Sequence, residues 1–281
     1  LGMGKISVGP PYFNAVFVPI VLVLFGFMGI GPIIRWKKSK AGDLKRQLLI
    51  PAMIAAAIGI VTPFIVDGVF NIWVTFGIAA AAWIILATAR AAYNMVKSKE
   101  GDISISRMGR SQLGMIFAHL GIAVSVIGAT MVSNYSIEKS VRMGPGVSQE
   151  LAGYTFKYLE TKNVVGPNYT AQQGQIEIYK GDELLTLLKP DRRQYNVRTM
   201  DMTEAGIDWG LFRDLYVTMG DPITSTEFAV RLNYKPFVRW LWFGAIFMMI
   251  GGFFAASDKR YRAKVTAAIA PLAEKAKLAT A

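Results

Sequence analysis

Five times along the chain the charged residues stop for about twenty positions. The stretches at about 14–34, 47–66, 70–89, 111–133 and 237–256 are almost wholly apolar. A helix rising 1.5 Å per residue needs about 20 such positions to cross roughly 30 Å of hydrocarbon, so all five are predicted to be transmembrane helices. None has an Asp, Glu or Lys in its interior, and Arg239 lies close enough to an end to snorkel toward headgroups.

Between the fourth and fifth stretches, residues 134–236 change period. GYTFKYLE, QGQIEIYK, ELLTLLKP, QYNVRT, DLYVTMG and TEFAVRLNY are short alternating or β-branched and aromatic runs. VVGPN, KGDE, PDRR and MGDP separate them with turn chemistry. Six short strands are predicted, forming a small barrel or sandwich. MTEAGIDWGLF, about 202–212, is predicted to add one helical turn capped by Thr203. The chain is therefore expected to be a polytopic α-helical membrane protein with an inserted extracytoplasmic all-β domain. Residues 1–133 are a four-helix region, 134–236 the β-rich domain, and 237–281 the last span with a basic, Ala/Lys-rich tail.

Composition agrees: 53% of residues are hydrophobic and only 18% charged, which is not the balance of a soluble domain. The net charge of +12 is distributed by topology. Arg35, Lys37, Lys38, Lys40, Lys45 and Arg46 lie between spans one and two, Lys97, Lys99, Arg107 and Arg110 between three and four, and Lys259, Arg260, Arg262 and Lys264 after span five. Alternating spans put all three clusters on one side, and the positive-inside rule makes that side cytoplasmic. Residues 134–239 carry thirteen basic and thirteen acidic side chains, so no basic footprint for nucleic acid exists there. With no cysteine, thiolate chemistry and disulfides are excluded for this chain.

One residue interrupts the apolar pattern. His119, in GMIFAHLGIAV, is the only histidine and the only titratable group at depth. It lies about 12 Å inside the cytoplasmic end of span four. A charged imidazole is costly there, so the ring either stays neutral and hydrogen-bonds a neighbouring helix or coordinates a metal centre such as haem. A proton relay needs further titratable stations, and no acid accompanies it. Met115, Ile116, Ile122 and Ala123 share its face, with Gly114 and Gly121 nearby. Those small residues suit either a flat macrocycle or close helix packing. A bis-histidine haem needs a second imidazole from other polypeptide, unless a methionine takes the place.

LGMGKISVGPPYFN before span one, RSQLGMIFAHLGIAV, MTEAGIDWGLFRDLYVTMGDP and AVRLNYKPFVRWLWFGAIFMMIGG followed by DKRYR together resemble the carboxyl-terminal half of CcmF, the cytochrome c-type biogenesis haem lyase family. The resemblance covers nearly the whole chain. It implies a membrane bundle with an extracytoplasmic β-rich domain in the bacterial inner membrane. It further implies a role in joining haem, delivered by the chaperone CcmE, to the thiols of a CXXCH apocytochrome c presented by a CcmH-type subunit. His119 in FAHLG matches a family histidine that ligates a b-type haem, reduced by an electron donor such as quinol. Met115, Ile122 and Ala123 are then candidates to line that haem. The family's WWD segment, its extracytoplasmic histidines and its second transmembrane histidine have no counterpart here. The chain also begins Leu-Gly rather than with Met. Both features lead to the expectation that an amino-terminal half completes the lyase, encoded either in the same chain or separately. The alternative is a non-catalytic membrane scaffold that docks assembly partners through its β domain.

Three further features carry less. Arg192, Arg193 and Arg198 form the only basic cluster outside, suited to propionates, headgroups or an acidic partner, or simply to ordinary ion pairs. Gly9, Pro10 and Pro11 are expected to make a rigid turn before span one, with Tyr12 and Phe13 at the interface. GFMGIGP lacks the lysine and the strand-to-helix setting of a phosphate loop.

Overall fold

The computed structural model describes residues 9–34, 41–97 and 101–258. Most of the basic clusters, the first eight residues and the Ala/Lys-rich tail lie outside these. Five helices are long and apolar enough to cross a membrane: α1 (Pro10–Ile30), α2 (Ala41–Asp67), α3 (Ile72–Val96), α4 (Arg110–Tyr135) and α5 (Val238–Ala256). Pro10 and Pro11 form the first helical turn of α1 rather than a turn before it. An N–H is dispensable at those positions, and proline's fixed φ suits them. Asn71 caps α3, its side-chain oxygen accepting from the N–H groups of Trp73 (3.0 Å) and Val74 (3.2 Å).

The chain forms two compact units. The helical unit comprises residues 1–127 and 241–281, and the β unit residues 128–240. Within the helical unit, α1 meets α3 where the Trp83 indole N–H donates to the Gly26 carbonyl at 3.1 Å and the ring covers Gly29. The helices α4 and α5 meet along a seam of glycines. A Cβ on Gly114 would lie 2.6 Å from the Gly251 carbonyl oxygen, and one on Gly121 equally near that of Gly244. Gly251 faces back onto Gly114 and Ala118. Hydrogen bonds close the seam: the Asp258 carboxylate accepts from Ser111 N–H at 3.0 Å, near the positive end of α4, and the Ser125 hydroxyl donates to the Leu241 carbonyl. Phe117 stacks on Phe254 at 5.7 Å and meets Phe247 edge-on.

The β unit is a two-sheet sandwich of ten strands. One sheet has the order β1 (Ile137–Met143), β10 (Phe228–Pro236), β9 (Arg213–Pro222), β8 (Gly206–Trp209). The other has β2 (Ser148–Leu151), β3 (Tyr154–Val165), β4 (Tyr169–Lys180), β6 (Asp191–Tyr195), β7 (Arg198–Glu204), with β5 (Glu183–Leu188) also paired to β4. Alternate residues of each face fill the core: Phe156, Tyr158, Ile176 and Ile178 from one sheet against Leu215, Val217, Met219, Phe228, Val230 and Leu232 from the other. The Tyr158 hydroxyl is satisfied by Thr161 at 2.8 Å, and its burial holds the phenol above its ordinary pKa. The turn between β2 and β3 places Ala152 and Gly153 both at positive φ, the geometry of a two-residue hairpin.

Four expectations are corrected. The segment at 202–212 contains no helix and is mostly strand, ending in a loop at 210–212: Thr203 lies in β7 opposite Arg192, and Ile207 lies in β8 opposite Tyr216. PDRR is largely strand, since β6 starts at Asp191, and MGDP ends β9. QYNVRT is two strands joined by a turn at Asn196 and Val197. IEKSVRM and SQEL, unassigned from the sequence, are β1 and β2.

The seam makes neighbouring glycines unequal. Gly251→Ala is expected to destabilise the helical unit by about 1–3 kcal/mol, the usual range for overpacking a filled contact, and to lower the melting temperature in detergent. Gly252→Ala, with nothing within 4 Å of its would-be Cβ, is expected to leave that temperature unchanged or raise it.

Candidate functional site

His119 lies in α4, half-buried. Its Nδ1 is 2.8 Å from the carbonyl oxygen of Met115, one turn earlier. A carbonyl only accepts, so Nδ1 carries the hydrogen and the neutral ring keeps its lone pair on Nε2. Among the described residues Nε2 has no partner. The bond is thus made within α4, not to a neighbouring helix. It fixes the ring in the tautomer that a metal-ligating histidine adopts when a backbone carbonyl orients it.

The surroundings separate the two roles open to the small residues. Gly114 and Gly121 are consumed by the α5 seam, together with Ala118 and Ser125. They leave no flat space on that side of α4. His119 stands away from the seam, on the side shared by Ile122 and Ala123. Ala123 is fully buried against Ala81 and Ile84 of α3, and Ile122, Val126, Phe25 and Met28 pack around them. Met115 contributes its carbonyl, and Ile116 is half-buried. An apolar groove of about 430 Å³ lies among α1, α2 and α3, lined by Leu22, Gly26, Ala55, Phe76 and Trp83. Its lining holds neither His119 nor an ionisable group. No group of three His, Asp or Glu side chains suited to a metal ion occurs among the described residues. His119 is the one imidazole in the chain.

The arginines of the β unit are tied into its surface. Arg193 donates to the buried Asp191 carboxylate at 3.0 and 3.2 Å, lies 4.5 Å over the Tyr169 ring and pairs with Glu204. Asp191 also accepts from Gln173 at 2.7 Å. Arg192 bridges Asp201 at 2.6 Å and Asp221 at 3.1 Å. Arg198 starts β7. Sequence patterning missed a second cluster at the junction of β10 with α5: Trp209, Phe212, Asp214, Phe237, Arg239 and Trp240. The one legible hint was the density of aromatics in DWGLF and KPFVRW. Burial and the neighbouring Asp214 raise the pKa of Tyr216, which donates to that carboxylate at 3.4 Å.

Membrane-length helices with an antiparallel sandwich inserted before the last of them define a polytopic membrane protein. Known proteins narrow this class. Residues 134–236 match the family model described as the CcmF C-terminal beta-sandwich. The cytochrome c-type biogenesis protein CcmF of Pseudomonas aeruginosa is 41% identical over 94% of this chain, and that of Escherichia coli K12 is 35% identical over 95%. The protein ccl1 of Rhodobacter capsulatus is 32% identical over 96%. The chain spans about 40% of the length of these relatives. A solved structure named "Cytochrome c Heme Lyase CcmF" superposes with a TM-score of 0.74 at 18% identity, covering 88% of this chain and 40% of its own. The chain belongs to the CcmF family and corresponds to its carboxyl-terminal part.

The ion pairs of β6 lead to a graded expectation. Asp191→Ala leaves the Arg193 guanidinium and the Gln173 amide without their buried acceptor. It should destabilise the β unit by roughly 2–4 kcal/mol. Arg192→Ala, whose partners are more exposed, should cost no more than about 1 kcal/mol. Chemical unfolding followed by circular dichroism compares the two.

Proposed function

We propose that this chain is the carboxyl-terminal part of a cytochrome c haem lyase and that His119 is an axial ligand of a b-type haem within the membrane. The observation that carries the reading is the Nδ1–H bond to the Met115 carbonyl at 2.8 Å, which holds the Nε2 lone pair free on a side of α4 not used by the α5 seam. The residues present fit one side of such a haem: His119 ligates, the Met115 carbonyl orients the ring, and Ile122 and Ala123 keep the neighbourhood apolar. When bound, haem b would supply one-electron chemistry. A second protein ligand, if a histidine, would come from other polypeptide, since this chain has one; a methionine is the alternative.

In this reading the activity is the attachment of haem, brought by a CcmE-type chaperone, to the thiols of a CXXCH apocytochrome c presented by a CcmH-type subunit. Adding each S–H across a vinyl C=C forms a C–S and a C–H bond and consumes no electrons. Because the addition itself is redox-neutral, a haem held at His119 would be needed only to supply electrons that keep the delivered iron ferrous, from a donor such as quinol. The names of the relatives, all cytochrome c-type biogenesis proteins, support this assignment. The amino-terminal WWD-containing half supplies the groups this chain lacks. The basic residues between Arg35 and Arg46 and between Lys97 and Arg110 support a bacterial inner-membrane orientation with those connections cytoplasmic and the β unit periplasmic.

The full-length protein should show a low-spin b-type absorption spectrum that His119→Ala weakens or abolishes, and cytochrome c maturation should fall with it. A mutant spectrum equal to wild type at equal loading would overturn the ligand assignment. Haem-free protein with full tolerance of His119→Gln would instead establish the scaffold reading.

A further inference from the structure

The end of β8 and the loop joining it to β9 carry three large side chains that the sandwich does not cover. Trp209, Leu211 and Phe212 are exposed by 68%, 52% and 55%. An apolar cluster of this kind on a water-facing loop is unfavourable unless something covers it. The loop is nevertheless firmly held. The Trp240 indole N–H donates to the Leu211 carbonyl at 3.1 Å, and the Phe237 N–H to the Phe212 carbonyl at 2.9 Å. The Gly210 N–H donates to the buried Asp214 carboxylate at 3.1 Å. The rings of Phe212, Phe237 and Trp240 lie within 5.0–6.2 Å of one another. Arg239 stacks 4.3 Å over Trp209 and reaches Asp214 at 3.7 Å. Phe237 itself sits at φ 57°, a conformation a phenylalanine rarely keeps without such support.

The partners that hold this loop identify what covers it. Phe237, Arg239 and Trp240 are the entry to α5, whose 19 residues give a length of about 28 Å, close to the hydrocarbon thickness. The first turn of a span that only just fits must lie at the boundary between headgroups and acyl chains. A loop hydrogen-bonded to that turn lies at the same depth. Tryptophan, phenylalanine and an arginine that can reach phosphate are the side chains this zone favours.

We propose that the end of β8 and the β8–β9 loop, Trp209 to Phe212, form an interfacial anchor seated in the lipid headgroup region of the leaflet where α5 begins. There Leu211 and Phe212 enter the acyl boundary, while Arg239 shares its charge between Asp214 and lipid phosphate. The inference rests on α5 crossing the bilayer and is independent of the haem ligand. It goes beyond general membrane residence, because it fixes the end of the sandwich at β8, β9 and β10 against the lipid surface.

The chain contains no cysteine, so one introduced thiol can carry an environment-sensitive fluorophore. The full chain in nanodiscs of phosphatidylethanolamine and phosphatidylglycerol would be labelled at Leu211→Cys. This change keeps the backbone carbonyl that accepts from Trp240. Trp209→Cys is a second labelling site. The control is Ile223→Cys, also exposed but at the far end of the ten-residue β9, about 30 Å along the strand. Lipids bearing a nitroxide just below the headgroup should quench the 211 label by about twofold or more and leave the 223 label unaffected. Aqueous iodide should do the reverse. Iodide quenching at 211 equal to that at 223 would overturn the proposal. So would a 211 label shielded from both quenchers, because that result puts protein rather than lipid over the loop. His119-dependent haem absorbance should be the same in labelled and unlabelled protein, which keeps this test separate from the ligand assignment.

Discussion

The contact between α4 and α5 sets the rotation of α4, and with it everything about His119. Gly114 and Gly121 lie seven residues apart on one helix, and Gly244 and Gly251 seven apart on the other; each pair meets the other backbone to backbone. In a bilayer no hydrophobic drive exists between helices, so van der Waals contact at close approach is a principal source of attraction. Larger residues at these four positions would separate the helices and release Asp258 from the start of α4. The seam also decides which face of α4 remains for chemistry. His119 falls outside it, and its own helix supplies the carbonyl that fixes the tautomer.

The β unit solves a different problem, that of joining a sandwich to membrane helices with almost no linker. Only Ser136 separates α4 from β1, and only Phe237 separates β10 from α5. β1 and β10 are paired in register from Ile137 and Tyr234 onward. With no slack, the change from strand to helix is made in one residue, and Phe237 takes the positive φ that this requires. The strain, of order 1–3 kcal/mol for such a residue, is offset by the ring cluster and by the two hydrogen bonds to the β8–β9 loop. The β8–β9 loop and the junction therefore stabilise each other.

The spans were legible because apolar length is a physical requirement of the bilayer and leaves little else to read into such runs. Core strands such as β3, β4, β9 and β10 were legible for a similar reason, since each has a stretch in which alternate residues are buried: Phe156 and Tyr158, Ile176 and Ile178, Leu215, Val217 and Met219, and Phe228, Val230 and Leu232. β1 hid because only Met143 at its end is buried while the rest is exposed or half-buried, so its sequence reads as charged loop. β6 hid because Asp191 and Arg193 satisfy each other, which lets charges occupy places where the pattern looks for apolar residues. The glycines at 114 and 121 were ambiguous for a deeper reason: a macrocycle and a helix both ask for small residues. The matching spacing of Gly244 and Gly251 was present in the sequence, but its meaning depends on which helices are neighbours. The aromatic junction was missed because its members come from two segments brought together only by the β9–β10 pairing.

What the polar groups do inside each unit bears on where function resides. In the β unit the arginines are mostly occupied: Arg142 with Glu227, Arg192 with Asp201 and Asp221, Arg193 with Asp191, and Arg213 with Asp208. Arg142 also holds the Glu227 carboxyl below its ordinary pKa. Such pairs define a shape and a surface rather than a reactive centre, since a guanidinium already engaged by carboxylates gains little from another anion. The helical unit is the reverse. Its interior is nearly free of ionisable groups, and its single imidazole retains an unshared pair in a medium where neither water nor a counter-charge competes for it. Such a nitrogen can accept a hydrogen bond or ligate a metal, and of the side chains in the spans it is the one suited to both. The polar chemistry of the two units is thus opposite: one half-buried imidazole among apolar spans, and a sandwich whose charges are largely paired.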